Sequence, residues 1–339
     1  MRTSDYDYDL PLDRIAQVPC EPRDAARLLV DHGTANGELR VDHRHVRDLP
    51  ELLNPGDLLV VNDTRVLPAR LVLARRSGGR AEVLLLDSLG DRRWTALVRP
   101  GGRLKAGEPL VDDRGTEIVV FLGRADDPDT FEIAFAGDSP VEEVLDRLGR
   151  VPVPPYITSE VESADRYQTV YSRRPASSAA PTAGLHITDD LLRRLTERGI
   201  DVVHVELVVG LDTFKPVSVD DPRDHVMHSE SFRVEPDVLD KIVAAERVVA
   251  VGTTSVRTIE TALSTDRLSG RTDLFIHQGY DWKRVDVMMT NFHLPRTTLL
   301  LMIDAFVGPR WRDLYDEAMR NDYRFLSFGD AMLLDRHLN

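Results

Sequence analysis

A run of small hydroxylated residues stands between a strand and a helix. Arg247–Val251 is an apolar strand candidate, and Gly252-Thr253-Thr254-Ser255 follows it before a helix that begins near Val256. Ligands of open α/β sheets bind outside the carboxyl ends of the strands, and the free amides of a helix N-terminus attract a carboxylate. Simple capping by Thr or Ser is the alternative. Arg257 in the first turn, where a structural choice favours an acid, points to an anionic ligand.

A second polar segment, residues 290–295 (TNFHLP), follows the strand candidate 285–289. Asn291 offers a paired donor and acceptor, and His293 is a candidate for proton transfer. A structural hydrogen-bonding role explains a single loop histidine equally well, so both interpretations of His293 stay open.

A third candidate segment, residues 180–186 (APTAGLH), precedes a helix capped by Thr188. Thr182 and Gly184 are small enough to let a ligand or an RNA backbone approach closely. The dipole of a helix N-terminus disfavours the imidazolium form of His186. A neutral imidazole there can serve as a base or as a hydrogen-bond donor.

Other titratable residues point to chemistry less directly. Glu206 lies in the apolar strand candidate 201–209, where an unpaired buried carboxylate is costly, although a solvated face is the commoner case. The histidine clusters at 43–45 and 225–228 lack a third spaced ligand, so surface histidines explain them better than a metal site. We expect no metal and no prosthetic group.

A parallel sheet is needed to bring these segments together. Strand and helix candidates alternate from residue 181 onward, and residues 58–61 (LLVV) form an apolar strand candidate, which indicates an α/β core. Short strand candidates separated by Gly and Asp turns indicate a small all-β barrel at 66–150. The sequence therefore predicts a mixed α/β core domain built from residues 1–65 and 151–339, the substrate and catalytic domain, with an inserted small all-β, barrel-like domain.

Composition excludes several classes of protein. The 339 residues are 42% hydrophobic and 29% charged, which is ordinary for a globular chain and excludes disorder. The single cysteine, Cys20, excludes a disulfide framework and a cysteine-ligated iron–sulfur cluster and is typical of a reducing compartment. No apolar run approaches membrane-spanning length, and the acidic N-terminus is unlike a signal peptide. We expect a soluble, cytoplasmic protein.

Charge is unevenly distributed along the chain. The net charge of −14 argues at first against a nucleic-acid partner. Residues 63–110 nevertheless carry a local charge of +5, against −8 for residues 111–149, and residues 171–186 hold two arginines and no acid. Charge noise on a solvated barrel is the alternative to an RNA-binding patch. The candidate RNA-binding arginines are Arg75, Arg76, Arg80, Arg99 and Arg173.

Taken together, these segments resemble the S-adenosylmethionine:tRNA ribosyltransferase-isomerase family of queuosine biosynthesis. Each motif is weak alone, but their order from residue 8 to residue 332 is specific. The motifs are YDLP at 8–11, EPRDA at 21–25, VNDTRV at 61–66, GRVPVPPY at 149–156, RYQTVY at 166–171, APTAGLH at 180–186, HSE at 228–230, GTTSVR at 252–257, TNFHLP at 290–295 and SFGDAM at 327–332.

The resemblance implies an enzyme for which S-adenosylmethionine is a co-substrate. Its ribosyl portion is transferred to the aminomethyl group of a 7-deazaguanine base in tRNA, methionine and adenine leave, and the sugar isomerises to give epoxyqueuosine. Because the sulfonium acidifies the adjacent 5′ carbon, a base must remove a proton there, and an acid must protonate the departing adenine. The expected partners are S-adenosylmethionine and tRNA, and we expect a monomer.

The resemblance also suggests roles for the candidate residues. The candidate catalytic residues are His186, His293 and Glu206. The candidate S-adenosylmethionine-binding residues are Thr253, Thr254, Ser255, Arg257, Asn291 and Glu230, with the methionine carboxylate near Thr253, Thr254 and Arg257. Thr182 and Gly184 join the arginines as candidates for binding tRNA or its modified base.

The chain departs from the family pattern at three positions. Val208 stands where the family has His, Asp212 where it has Gly, and Gln278 where it tends to have Pro. A substrate pocket changed at these positions is the basis of the alternative hypothesis, a catalytically altered paralogue that binds RNA in a regulatory role. A conventional methyltransferase is disfavoured because the chain lacks a glycine-rich loop of that type.

Overall fold

The computed structural model describes residues 1–125, 130–159, 163–210, 216–227 and 229–337. The chain divides into two compact units. The core unit comprises Met1–Arg65, Pro154–Arg174 and Ala180–Asn339, and the barrel unit comprises Val66–Val153 and Pro175–Ala179.

Strands account for much of both units. In chain order they are β1 (Arg27–Ala35), β2 (Glu38–His45), β3 (Asp57–Asn62), β4 (Arg65–Val66), β5 (Arg70–Arg75), β6 (Arg80–Gly90), β7 (Arg93–Arg99), β8 (Glu108–Val111), β9 (Glu117–Arg124), β10 (Phe131–Phe135), β11 (Gly149–Arg150), β12 (Pro175–Ser177), β13 (Asp201–Leu207), β14 (Glu230–Arg233), β15 (Arg247–Val251), β16 (Ser269–Thr272), β17 (Val287–Asn291) and β18 (Ala331–Asp335).

The core unit is built on a mixed sheet to which nine strands of the described residues belong. Their order is β16-β14-β13-β3-β15-β17-β18-β1-β2. The four central strands β13, β3, β15 and β17 are parallel. Antiparallel pairs β17–β18 and β1–β2 extend one side, and β13–β14 and β14–β16 extend the other.

The central strand β3 shows why this sheet is buried on both faces. All six of its residues are buried. Successive side chains of a strand point to opposite faces. Leu58 and Val60 accordingly enter one hydrophobic cluster, and Leu59 and Val61 enter another. A continuous apolar run is typical of parallel strands covered on both faces.

Helices occupy the connections of the core unit, and α2 belongs to the barrel unit. They are α1 (Leu49–Leu52), α2 (Val141–Leu148), α3 (Asp189–Glu197), α4 (Pro236–Ala244), α5 (Thr253–Thr265), α6 (Thr298–Val307) and α7 (Trp311–Arg320). The predicted cap of α3 is present, since the Thr188 hydroxyl accepts from the Leu191 amide at 3.1 Å. Helix α6 is apolar on most of its surface and almost entirely buried.

The barrel unit is an antiparallel sheet that closes on itself. Six of its strands follow the order β5-β6-β7-β10-β9-β8, and pairing of β5 with β8 completes the circle, while the short β11 also pairs with β5. Alternate side chains such as Leu71, Val83 and Ile133 fill the interior. The predicted class, a mixed α/β fold with a barrel-like all-β part, is confirmed. The barrel unit also includes Pro175–Ala179.

Five strands of the core sheet, β1, β2, β14, β16 and β18, were not predicted from the sequence. The hairpin β1–β2 and the late strand β18 complete one side of the sheet, where β1 pairs in parallel with β18. The residues of β2 are mostly exposed and polar because it is an edge strand, so they lack a strong apolar signal.

Among the described helices, none has the length and apolar character needed to cross a membrane.

Candidate functional site

The register of the central strands brings three loops to one edge of the sheet. Val61 at the end of β3 pairs with Val251 at the end of β15, and Val251 pairs with Met289 in β17. Because these strands are parallel, the residues after their carboxyl ends are neighbours. The segments predicted to follow β15 and β17 therefore meet there.

A cavity opens at this edge within the core unit. Its empty volume, which includes open solvent at its mouth, is about 580 Å³. Threonines, small residues and a few larger apolar side chains form its wall. The lining residues are Tyr156, Ala180, Pro181, Thr182, Ala183, Val209, Gly252, Thr253, Thr254, Thr290, Asn291, Phe292, His293, Leu294, Thr297, Leu299, Leu326 and Ser327. We call this cavity the edge pocket.

The N-terminus of α5 points into the edge pocket. Gly252 precedes the helix with a φ of 84°, which favours glycine, and a Cβ there would lie 3.4 Å from the side chain of Ala183. Thr253 and Thr254 both line the pocket and are 7% exposed. The Thr254 hydroxyl is buried and has no hydrogen-bond partner among the described residues, and such a hydroxyl lowers stability unless a ligand satisfies it.

Two of the other residues expected to bind S-adenosylmethionine bind each other instead. Arg257 and Glu230 form a buried ion pair. The remaining guanidinium nitrogens of Arg257 donate to the backbone oxygens of Leu274 at 3.1 Å and Thr272 at 3.4 Å. Glu230 also accepts from the amide of Gly210 at 2.8 Å. Neither side chain lines the edge pocket, so the predicted contact of Arg257 with a ligand carboxylate has no support in this geometry.

Ser255 is likewise committed to the helix. Its hydroxyl donates to the backbone oxygen of Val251 at 2.8 Å, and the residue is fully buried. Only Thr253 and Thr254 of the hydroxylated run therefore face the edge pocket.

Asn291 links the edge pocket to His186. Its Oδ1 accepts from the Thr182 hydroxyl at 3.1 Å, and its Nδ2 lies 3.0 Å from Nε2 of His186. His186 is 5% exposed and does not line the pocket. Burial, followed by the positive charges of Arg324 and Arg166, lowers the pKa of His186 to about 4. The structure thus places His186 behind Asn291, outside the wall of the edge pocket.

His293 is the histidine that faces the edge pocket. Its Nε2 lies 3.1 Å from the Thr290 hydroxyl, and its backbone amide donates to the Tyr315 hydroxyl at 3.0 Å. Its Nδ1 has no hydrogen-bond partner among the residues described. Burial lowers the pKa of His293 to about 3, so the ring is neutral at pH 7.

Glu206 belongs to a polar cluster at the ends of β3 and β13. Arg174 binds both of its oxygens, with 2.7 Å between Nε and Oε2. The nearby Asp63 has Arg173 at 3.5 Å and Nδ1 of His204 at 3.9 Å. Burial raises the pKa of Asp63 to about 6, against the opposing effect of Arg173. Glu206 does not line the edge pocket, and its ion pair explains its place in an apolar strand.

Packing against a neighbouring side chain leaves no room for a side chain at position 184. A Cβ at this position would lie 2.0 Å from the Tyr171 hydroxyl. Gly184 is buried and absent from the wall of the edge pocket. The group that closely approaches Gly184 is thus the Tyr171 side chain, whereas we had predicted a ligand or RNA at this place.

The basic half of the barrel is partly neutralised by its own acids. Arg75 binds Glu108 through two contacts of 2.6 and 3.1 Å, and Arg76 is paired with Glu117. Arg80 and Arg99 are exposed, and among the described residues neither has an acidic partner. The exposed guanidinium of Arg173 in the core unit lies 3.5 Å from Asp63. Of the four predicted barrel arginines, Arg80 and Arg99 are therefore the more available to a phosphate.

Tyr156 and Ser327 are among the polar residues of the edge pocket that were not singled out from the sequence. The Tyr156 hydroxyl lies 2.7 Å from the Ser327 hydroxyl, and both residues line the cavity. Burial raises the pKa of Tyr156, which keeps the phenol neutral. Both residues belong to motifs of the family resemblance, GRVPVPPY and SFGDAM, and those motifs were the available signal.

The three departures from the family pattern lie in different surroundings. Val208 does not line the edge pocket, whereas its neighbour Val209 does. Gln278 is exposed. Asp212 lies outside the described residues, as does His228 of the HSE motif.

Among the described residues, no group of acids, histidines and cysteine has the arrangement of a metal site.

The fold and the edge pocket define a two-unit α/β protein with a cavity at the carboxyl ends of parallel strands. A family model for queuosine biosynthesis proteins matches residues 3–334. The chain belongs to this queuosine biosynthesis family.

Individual relatives match the chain over nearly its full length. It is 49% identical over 347 residues to the S-adenosylmethionine:tRNA ribosyltransferase-isomerase of Symbiobacterium thermophilum, with 98% of this chain and 100% of the relative covered. The protein of the same name from Clostridioides difficile is 46% identical over 345 residues, with the same coverage. The crystal structure of an S-adenosylmethionine tRNA ribosyltransferase from Thermotoga maritima superposes with a TM-score of 0.55 at 36% identity, covering 97% of this chain and 99% of that one.

Proposed function

We propose that this chain is a tRNA ribosyltransferase-isomerase that uses S-adenosylmethionine. It transfers and isomerises the ribosyl portion onto the 7-aminomethyl-7-deazaguanine base of tRNA, giving epoxyqueuosine with release of adenine and methionine. Full-length identity to relatives of that name supports the proposal. The observation that carries it within the molecule is the edge pocket, where the Thr254 hydroxyl, without a hydrogen-bond partner among the described residues, stands at a helix N-terminus.

The N-terminus of α5 is our proposed site for the methionine carboxylate. The unpaired amides of the first turn favour an anion, and the hydroxyls of Thr253 and Thr254 add two donors. On this proposal Arg257 has a structural role: it holds the segments around β14 and β16 in place and does not contact the carboxylate. No lining side chain among the described residues carries a fixed positive charge, so the helix end itself supplies the attraction.

His293 is our proposed residue for proton transfer. It faces the edge pocket, it is neutral at pH 7, and its Nδ1 is free of partners among the described residues. A neutral imidazole is the form that can accept a proton from the carbon beside the sulfonium. Replacing it by His293→Ala should lower kcat by about 10²-fold or more, whereas the Kd for S-adenosylmethionine should change much less.

The exposed barrel arginines Arg80 and Arg99, together with Arg173, are our proposed contacts to tRNA phosphates. Their guanidinium groups are accessible, and phosphate contacts supply most of the affinity of such complexes. On this proposal the barrel unit binds tRNA and the core unit carries the chemistry. Arg75 and Arg76 contribute less because acids of the barrel already neutralise them.

We further propose that the protein acts as a monomer in the cytoplasm. The free thiol of Cys20 is compatible with a reducing compartment. Light scattering of the purified protein at micromolar concentration should give the mass of one chain, and a dimer mass would contradict this part of the proposal.

One assay separates the proposed reaction from the alternatives. The protein is incubated with S-adenosylmethionine and tRNA that carries the aminomethyl-deazaguanine base, and the small molecules released are separated by chromatography. Adenine and methionine in equal amounts support the proposal. S-adenosylhomocysteine would identify a methyltransferase instead, and tRNA binding without turnover would identify a regulatory RNA-binding paralogue.

A further inference from the structure

The side-chain amide of Asn291 has one orientation that its neighbours permit. Its Nδ2 faces the backbone oxygen of Asp330 at 3.3 Å, and a carbonyl oxygen only accepts hydrogen bonds. Its Oδ1 receives the hydrogen bond of the Thr182 hydroxyl at 3.1 Å. The amide oxygen therefore lies beside Thr182 at the wall of the edge pocket, and the amide nitrogen is turned inward.

This orientation also fixes the tautomer of His186. The second hydrogen of the Asn291 amide points to Nε2 of His186, 3.0 Å away, so Nε2 must accept. The ring proton is then on Nδ1. A protonated ring would place one N–H against another, and turning the amide over would set its oxygen against the backbone oxygen of Asp330, which cannot donate.

We propose that His186 is a positioning residue that holds Asn291 so that the edge pocket presents hydrogen-bond acceptors to the hydroxyls of a ribosyl ligand. The acceptors are the second lone pair of Asn291 Oδ1 and the lone pairs of the Thr182 hydroxyl. Both hydrogens of the Asn291 amide already bond His186 and Asp330. This part of the pocket wall therefore favours a ligand group that donates hydrogen bonds. The inference rests on the proposed function, because it names the ribose hydroxyls of S-adenosylmethionine as the groups recognised.

Two substitutions separate positioning from proton transfer. In His186→Gln, the side-chain Oε1 can occupy the place of Nε2 and accept from Asn291, whereas the shorter side chain of His186→Asn cannot reach it. We expect H186N to raise the KM for S-adenosylmethionine roughly tenfold, the equivalent of one lost hydrogen bond, with a smaller change in kcat. H186Q should recover most of that loss. A loss of kcat of about 10²-fold in both variants, with KM unchanged, would assign proton transfer to His186 and overturn the proposal.

A double-mutant cycle tests whether His186 acts through Asn291. H186N and Asn291→Ala are each expected to weaken binding of S-adenosylmethionine, measured by calorimetry. The double variant should bind no more weakly than N291A alone, because the orientation of the amide no longer matters once it is removed. Additive losses would show that His186 acts by another route. Circular dichroism and the thermal midpoint of each variant establish that it is folded.

The tautomer can be measured without substrate. Nitrogen-15 spectra of the labelled full-length protein should show His186 as the Nδ1–H tautomer between pH 6 and pH 8, with no titration in that range. The Nε2–H tautomer, or titration near the ordinary histidine pKa, would overturn the proposal. This measurement uses neither tRNA nor S-adenosylmethionine, so it remains decisive even where the chain acts on another substrate.

Discussion

Removing the Thr254 hydroxyl should weaken ligand binding without weakening the fold. Thr254→Val keeps the shape and the β-branch of the side chain and deletes only the hydroxyl. That hydroxyl is buried and unpartnered among the described residues, so no internal hydrogen bond is lost. A buried group of this kind costs about 1–3 kcal/mol when it stays unsatisfied. The ligand-free variant should therefore be as stable as the parent protein, or more stable.

The expected loss of affinity follows from the chemistry of the proposed ligand. A hydrogen bond from a hydroxyl to a carboxylate is charge-assisted and contributes about 1.5–3 kcal/mol. At 1.4 kcal/mol per factor of ten, T254V should raise the Kd for S-adenosylmethionine roughly 10- to 150-fold. A stability gain together with an affinity loss is a combination that general damage to the helix does not produce.

The assay is titration calorimetry on folded protein, combined with thermal unfolding in the absence of ligand. Thr258→Val is the matched control, because its hydroxyl bonds the backbone oxygen of Thr254 at 2.9 Å and does not line the edge pocket. Decarboxylated S-adenosylmethionine is the matched ligand, and T254V should bind it as the parent protein does. An unchanged Kd for S-adenosylmethionine in T254V would refute the assignment of the carboxylate to the N-terminus of α5.

Three other outcomes follow from the same structure. Arg257→Met should lower the free energy of unfolding by about 3–5 kcal/mol, measured in urea, because it leaves a buried carboxylate unpaired; a loss confined to ligand affinity would mean that Arg257 contacts the ligand. The double variant Arg80→Glu/Arg99→Glu should weaken tRNA binding and make the binding constant less dependent on salt. The control Arg93→Glu should have a smaller effect, because Arg93 is already paired with Glu132. Equal effects of the two variants would show that Arg80 and Arg99 are not specific phosphate contacts. Because burial raises the pKa of Asp63 to about 6, its ionisation disfavours the folded state as the pH rises from about 4 to above 6. Asp63→Asn should therefore raise the thermal midpoint relative to the parent protein above pH 6, and the difference should shrink toward pH 4; a difference independent of pH would exclude this titration.

The sequence predicted the central strands well because their signal is local. The run at 58–61 is apolar and short, which is typical of a strand buried on both faces. The edge strand β2 carries alternating charges and lies mostly in solvent, so its place in the sheet depends on pairing with β1, a contact between segments rather than a local pattern. The pairing of β1 with β18 joins residues some 300 positions apart along the chain, which periodicity cannot indicate.

Site residues were predicted by segment more reliably than by side-chain direction. The three segments named from the sequence do line one pocket, because each contains or follows the carboxyl end of a parallel strand or lies against it. Within those segments, Thr254 faces the cavity while Ser255 bonds its own helix. Arg257 was predicted to lie at an anion site from its position near the start of the helix, but its guanidinium is paired with Glu230 of β14. Such choices depend on tertiary partners that the sequence does not name.

The charge of the pocket wall bears on the reaction itself. At pH 7 no lining side chain among the described residues is ionised, since the wall has no Asp, Glu, Lys or Arg and burial keeps His293 and Tyr156 neutral. A carboxylate in contact with the sulfonium of S-adenosylmethionine would bind it tightly but would also neutralise the charge that acidifies the 5′ carbon. A neutral wall of low polarity leaves that charge at full strength beside the scissile C–H bond. On the proposed function, affinity is then supplied at the methionine carboxylate by the helix N-terminus and at the ribose by Asn291 and Thr182, while the reacting carbon stays activated.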